Sequence, residues 1–491
     1  MIVRDESDNL HRCQSSVKDI VDEIIIVDTG SKDNTIEIAE SFGAKIFKFK
    51  WEEDFAAARN YSLSKCGGNF ILYLDADEIL SENSKLSLRE LVAGNQGKAF
   101  SCLINNISSS SDRSSIGRYC RIFPNHHGLK FEGKVHEQIE YSLSKNNIEI
   151  IDSDIEIIHY GYDADKEALN AKALRNLELL LAEYSLNPSG YNSYQIALTY
   201  SLLNEIEKAK DYFEIALQDE TLHKDYKFYS YEFLTNYFLQ NKDLVKAKTF
   251  LEKLFAADST RASAYLLASK IFSAEKNYER ALMFAASSYE FNLSAKNDKS
   301  KLVQVILSDN EIITHGLHLA VYSGLLDYFK HFIDLYGKIG FEQLAEIMRK
   351  LNSQERLEGD DISALINNIA DENIDILLLL LKKYHHKDIS FSIYEFLIKS
   401  FEDNPNLIIN YSELLYNKGK KEEAINLLEL NFSKFIDNPA PAFYLMSYYI
   451  ENSEFHKLEA PLQFLETHFS NDAIVIEGLN QLNNQINTIL N

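Results

Sequence analysis

Two hydrophobic periods divide this chain. From Met1 to about Tyr162, short apolar runs alternate with amphipathic stretches and turn residues: Ile24 to Val27, Lys45 to Phe47, Phe70 to Leu74, Ala99 to Ile104 and Ile155 to Ile158. Runs this short, bounded by turn residues, predict buried strands, and their alternation with helical stretches predicts an α/β domain. Residues 31–41 begin rich in Ser, Asp and Asn and then carry Ile36, Ile38 and Ala39, which predicts a helix capped by Ser31 or Asp33. A serine run at 108–111 predicts a surface loop. From about Asp163 the strand-like runs stop and long helical patterns take over.

Within the helical part a short motif recurs. Glu207 to Phe213, Val245 to Leu251 and Glu279 to Ala285 align on Ala209, Ala247 and Ala281, which lie 38 and 34 residues apart. Near the C-terminus Glu423 to Leu428 and Glu459 to Phe464 align on Ala424 and Ala460, 36 apart. A small residue at a fixed helical position, with a large one a turn later, lets the two helices of a hairpin approach closely and stack on the next pair. These units resemble tetratricopeptide repeats, as does the approach from Asn192 to Tyr200. The expected organisation is an α/β domain over 1–162, repeats over 163–294, helical but degenerate repeats over 295–400, and tetratricopeptide-like repeats over 401–491.

Composition narrows the partners. At 491 residues, with 45% hydrophobic and 12% aromatic content, the chain has the make-up of a folded multidomain protein. It contains no uninterrupted apolar span long enough to cross a bilayer, so no membrane span is expected. Arg4, Asp5 and Glu6 interrupt the N-terminus before a signal-peptide core could form, and a cytoplasmic location follows as the expectation. Cys13, Cys66, Cys102 and Cys120 lack paired metal-ligand spacing and are expected as reduced thiols. The net charge of −24, with −8 in residues 1–162, argues against a nucleic-acid partner and against an anionic membrane surface. A bound nucleotide therefore has to be held by local donors and a metal.

The candidate chemistry centres on Asp75 and Asp77, which leave the apolar run Phe70 to Leu74 where open α/β sheets place their ligands. Hard divalent cations take a few carboxylate oxygens and fill the remaining positions with water and substrate phosphates, so an Asp-x-Asp at a strand end suits a nucleoside diphosphate. Spacing alone decides nothing, because Asp152-Ser153-Asp154 and Asp163-Ala164-Asp165 repeat it. Asp28-Thr29-Gly30-Ser31 joins a strand to a helix and suits either close nucleoside contact or a plain turn. Arg59 follows three alanines that let a helix pack tightly, leaving its planar fork for a phosphate or a base, or simply for solvent.

Taken in order, these features resemble the family 2 inverting glycosyltransferases of the GT-A fold. The matching residues are Met1 to Glu6, Asp22 to Thr35, Asp54 to Asn60 and Leu74 to Glu78. Arg121 to Phe123, Phe131 to Glu137 and His159 to Tyr162 are similar to the subgroup that couples this domain to tetratricopeptide repeats, among them the bacterial peptide and protein glycosyltransferases and the S-glycosyltransferases of bacteriocin cysteines. The resemblance implies a GT-A, Rossmann-like nucleotide-sugar domain followed by an all-α repeat solenoid. It implies nucleotide contacts from Val3, Asp5, Glu6, Asp28, Arg59 and Asp75, with Asp77 and His159 as ligands of Mg²⁺ or Mn²⁺. Relatives place several residues ahead of Met1, so either the first strand is short or the natural start lies upstream.

An inverting transfer needs a base on the acceptor side. Glu137 is the first candidate and His136 the second, on opposite faces if their segment is a strand. The expected activity is metal-dependent transfer from a nucleotide sugar, UDP-linked in the first instance, to a peptide or protein presented by the repeats. A lipid-linked or lipopolysaccharide acceptor is the alternative enzymatic reading, and a non-catalytic repeat scaffold the third.

Overall fold

The computed structural model describes residues 1–106, 114–160, 166–296, 303–470, 472 and 475–482. The serine run at 108–111 and Asp163 to Asp165 lie outside them. The chain forms two compact units, Met1–Ile312 and Ile313–Asn491.

The first unit opens with a parallel three-stranded sheet, β1 (Ile2–Val3), β2 (Ile25–Asp28) and β3 (Lys45–Lys48), in that order. All four residues of β2 are buried, as an apolar strand between two neighbours requires. Helix α1 (Ser7–Val17) lays Leu10, Cys13 and Val17 into the core. Helix α2 (Thr35–Ser41) is shorter than the sequence predicts, because Asp33 accepts from Thr35 N with one oxygen and from Ser7 N with the other, and so ties the turn to α1. In α3 (Phe55–Leu63) the Asp54 carboxylate caps Ala57 N at 2.8 Å, and the small Ala56 and Ala58 are buried.

A second, mixed sheet runs β4-β7-β6-β8-β5, built from β4 (Phe70–Leu72), β5 (Glu78–Leu80), β6 (Ala99–Asn106), β7 (Ser114–Pro124) and β8 (Ile150–His159). β6 and β8 are parallel and the remaining pairs antiparallel. Helix α4 (Glu82–Gly94) packs against β8, and α5 (Glu140–Lys145) precedes it. β1, limited to two residues, pairs with β2 alone among the described residues. Between β1 and β4 lies a cavity of about 640 Å³ lined by Met1, Ile24, Phe70, Leu88 and Val92.

Seven helices complete the unit: α6 (Lys166–Leu186), α7 (Gly190–Leu202), α8 (Ile206–Ala216), α9 (Lys224–Gln240), α10 (Leu244–Ala257), α11 (Ala262–Ala274) and α12 (Tyr278–Ala295). They pair as α7/α8, α9/α10 and α11/α12, with Ala209, Ala247 and Ala281 fully buried at the helix crossings. Each hairpin turns at a left-handed residue, Asn204, Lys242 or Lys276, after which Glu205, Asp243 or Asn277 donates its N–H back to a carbonyl of the preceding helix. One expectation fails here. A strand, β9 (Val303–Ile306), follows the helices and pairs antiparallel with β7. The buried Asn292 fixes it by exchanging two hydrogen bonds of 2.9 Å with the backbone of Leu307.

In the second unit, Gly419 and Ser453 repeat the left-handed turn. Ala424 is buried five residues after the first turn, but the equivalent position after the second is Leu458, also buried. Ala460 is exposed, so the 36-residue alignment on it is off register. The same turn survives at Gln354, where Glu355 N reaches Lys350 O, although the alanine motif is gone and Gly359 stands in its place.

Candidate active site

Strand register brings the metal candidates together. In the pairing of β8, His159 stands opposite Glu78 of β5 on one side and Asn106 of β6 on the other. The residue before Glu78 is Asp77, whose carboxylate lies 3.2 Å from His159 Nε2, while Asn106 Oδ1 lies 2.7 Å from Nδ1. Burial opposes the imidazolium, but the bond to Asp77 and the nearby Glu78 and Asp75 outweigh it and raise the His159 pKa.

Beneath this pair a chain of alternating charge runs through the domain: Glu137, Arg59, Asp75, Arg121, Glu78. Arg59 donates through Nε to Glu137 and through Nη2 to Asp75 at 2.7 Å. Arg121 donates to Glu78 at 2.6 Å and approaches Asp75 at 3.9 Å. The Tyr73 ring lies 5.1 Å from the Arg59 guanidinium and 4.3 Å from that of Arg121. Burial works against the charge on Asp75, yet the two arginines hold its carboxyl well below the usual range. Burial likewise opposes the charge on Arg59, and Asp75 and Glu137 more than offset it. Glu78, almost fully enclosed, is pushed up by burial despite Arg121. Arg121, Glu78 and Asn106 have no role in the sequence-based site, because their partners are set by the pairing of β5, β6, β7 and β8 and no local motif shows it.

The other expected nucleotide contacts lie on β1 and β2 or directly after β1. Val3 turns its side chain into the core and offers its main chain, with its carbonyl taken by Thr29 N at 3.0 Å. Asp5, in the left-handed region, accepts from Lys32 N at 2.7 Å, and its own N–H reaches Ser31 Oγ at 3.1 Å. Buried Asp28 accepts from Ser31 N at 2.9 Å. The Asp28 to Ser31 segment is thus a tied turn, with Gly30 at φ 116° where a side chain would be strained. Glu6 accepts from Asn9 at 3.1 Å, and burial together with the charge on Asp77 raises its pKa against that bond.

His136 and Glu137 do not lie on a strand. They sit in a loop closed by a single bridge between Glu132 and Gln138, with Gly133 and His136 at positive φ, so the alternation expected of a strand does not apply. The Asn60 side chain pins the loop's base by exchanging bonds with the Phe131 backbone at 3.0 and 2.7 Å. Glu137 therefore reaches inward to Arg59. Asn60 and Arg59 are consecutive on α3, so one helix supports both the loop and its carboxylate.

The donor set fits a divalent cation that shares its coordination with a substrate. Among the described residues no group of three His, Cys, Asp or Glu side chains converges to hold a metal. Asp77 and His159 do converge, and an Mg²⁺ or Mn²⁺ held by one or two protein groups characteristically completes its shell with water and phosphate oxygens. A bond from Nδ1–H to Asn106 would leave the Nε2 lone pair facing Asp77, the tautomer a ligand needs.

Comparisons with known proteins find similarity in both parts of the chain. The family described as glycosyl transferase family 2 matches residues 1–135. A protein of Synechococcus elongatus described as TPR repeat-containing is 37% identical over 193 residues, covering 38% of this chain and 47% of its own. The SPbeta prophage-derived glycosyltransferase SunS of Bacillus subtilis is 26% identical over 262 residues, covering 52% and 61%. The chain thus spans about half to three fifths of the length of these relatives. Among solved structures, a tetratricopeptide repeat protein of Parabacteroides merdae aligns over 60% of this chain and 98% of its own, at 12% identity and a TM-score of 0.41.

Proposed function

We propose that this protein, whose residues 1–135 match glycosyl transferase family 2, transfers a sugar from a nucleotide sugar to a peptide or protein acceptor with inversion at the anomeric carbon. The observation that carries the proposal is the meeting of Asp77 and His159 at 3.2 Å beside the Glu137–Arg59–Asp75 chain. A cation bound by Asp77 and His159 would supply charge neutralisation for the departing diphosphate. The acceptor hydroxyl or thiol attacks the anomeric carbon, the bond to the phosphate oxygen breaks, and the diphosphate leaves with the electron pair. Glu137, oriented by Arg59, takes the acceptor proton. UDP is the first donor to try.

The repeat helices support a peptide or protein acceptor, because stacked hairpins offer an extended surface that a sugar acceptor would not need. No helix among the described residues is long and apolar enough to cross a membrane. The test is intact-mass analysis of candidate peptides and proteins incubated with a panel of nucleotide sugars and Mn²⁺. A hexose- or hexosamine-sized increment that disappears in Asp77→Ala supports the reading. If the wild type neither hydrolyses nor binds any nucleotide sugar in the panel, the reading fails.

A further inference from the structure

Charge around the candidate site does not balance a diphosphate. Glu6, Asp75, Asp77, Glu78 and Glu137 gather there, while the two arginines among them, Arg59 and Arg121, are already bonded to carboxylates. A leaving nucleoside diphosphate brings further negative charge into this setting, and one divalent cation offsets only part of it. Unpaired cations should therefore face the cleft from some other element.

Helix α6 supplies them. Its buried face packs on the catalytic loop: Leu179 and Leu180 join Val135 in one core cluster with Phe55 at its edge, and Glu183 accepts from Lys134 N at 3.2 Å. In a helix, residues 172, 175, 179 and 183 share one face. Going toward the N-terminus, that face leaves the packed interface and passes from Glu183 and Leu179 to Arg175 and Lys172, both exposed. The Arg175 guanidinium lies 5.7 Å from the ring of Phe55, the first residue of the helix that carries Arg59. Although the residue is exposed, the partial desolvation of its guanidinium, and then the charge of Arg4, which follows β1, lower the Arg175 pKa. The Lys172 ammonium acts on both Glu6 and His136. Among the described residues neither Lys172 nor Arg175 has an ion-pair partner, although the chain carries 74 acidic against 50 basic residues.

We propose that Lys172 and Arg175 of α6, with Arg4, form a phosphoryl-binding subsite that receives the diphosphate of the donor and of the leaving nucleotide. The first helix after the catalytic domain would then complete its donor site. The inference rests on the donor reading above and goes beyond it, since it assigns residues outside the matched family segment of 1–135.

The test is calorimetric binding of magnesium pyrophosphate, UDP and uridine to the full chain. Lys172→Ala/Arg175→Ala should weaken pyrophosphate and UDP by about tenfold or more, the size expected for lost bonds to charged groups. It should leave any uridine affinity unchanged and flatten the dependence of UDP binding on salt. Lys172→Arg/Arg175→Lys, which keeps both charges, should restore most of the affinity and controls for folding. Equal UDP and pyrophosphate affinity in the wild type and the double alanine variant overturns the subsite while leaving the donor reading intact. If the wild type binds neither UDP, GDP nor pyrophosphate, the donor reading fails and the subsite fails with it.

Discussion

Asn106 holds His159 across the parallel β6–β8 pair, its Oδ1 2.7 Å from Nδ1 of the imidazole. The two residues are direct partners in the sheet register, so the bond is set by strand pairing and not by a flexible loop. Its consequence is orientation: Nε2 is aimed at Asp77. Outer groups that fix a histidine ligand typically contribute about 10–100-fold to metal affinity. Asn106→Leu should therefore weaken Mn²⁺ binding about tenfold, read as free Mn²⁺ by electron paramagnetic resonance in the presence of UDP. Asn106→Asp, which keeps an acceptor, should weaken it less. Unchanged Mn²⁺ affinity in the leucine variant would remove Asn106 from the site.

Glu137 offers a second test. It is bonded to Arg59, which retains Asp75 as its other partner when Glu137 is changed. Glu137→Gln keeps the size of the side chain, removes the capacity to take a proton and leaves Arg59 a neutral acceptor in place of the carboxylate. General-base catalysis typically contributes about 10²–10⁴ in rate, so turnover should fall by at least about a hundredfold while UDP affinity stays within a few fold. A variant that transfers sugar at close to the wild-type rate would assign the proton to another group, with His136 next in line.

Asp75 links the site to stability. Its folded pKa is depressed because Arg59 and Arg121 outweigh the cost of burial. A depressed carboxyl pKa contributes stability that is fully present above the unfolded value near 3.9 and is lost as pH falls through that value toward the folded one. The difference in urea midpoint between the wild type and Asp75→Asn should shrink as pH falls below about 4, where Asp75 itself is protonated in the unfolded chain. A difference that keeps growing below about pH 4 would contradict the Arg59–Asp75–Arg121 arrangement.

The sequence shows the parts of this site better than their connections. β2, β3, β6 and the end of β8 at His159 are legible because each is an apolar run closed by a polar residue, and the buried alanines of the repeats because each crossing needs a small side chain. Glu78 and Arg121 stand in plain view within motifs, yet their bond joins positions 43 residues apart, which no local period encodes. β9 is hidden for a related reason: Val303 to Ile306 is a short apolar stretch between helices, and only Asn292 and the free edge of β7 make it a strand. The faces of His136 and Glu137 are not legible either, because Gly133 at φ 101° and His136 at φ 55° turn their segment into a loop.

The repeat register can be settled by overpacking. Ala247 is fully buried where α9 and α10 cross, and a phenyl ring there has no space without moving a helix. Inserting bulk into a packed core typically costs about 1–3 kcal/mol, and a phenylalanine in place of alanine lies at or above the upper end. Ala460 is exposed, and the structurally equivalent buried position is Leu458, five residues after the left-handed Ser453. Ala247→Phe should lower the thermal unfolding midpoint clearly, Ala460→Phe should leave it almost unmoved, and Leu458→Ala should again lower it through the cavity it opens. The alternative alignment on Ala460 predicts the reverse order for the last two variants, so melting curves of the three decide between the registers.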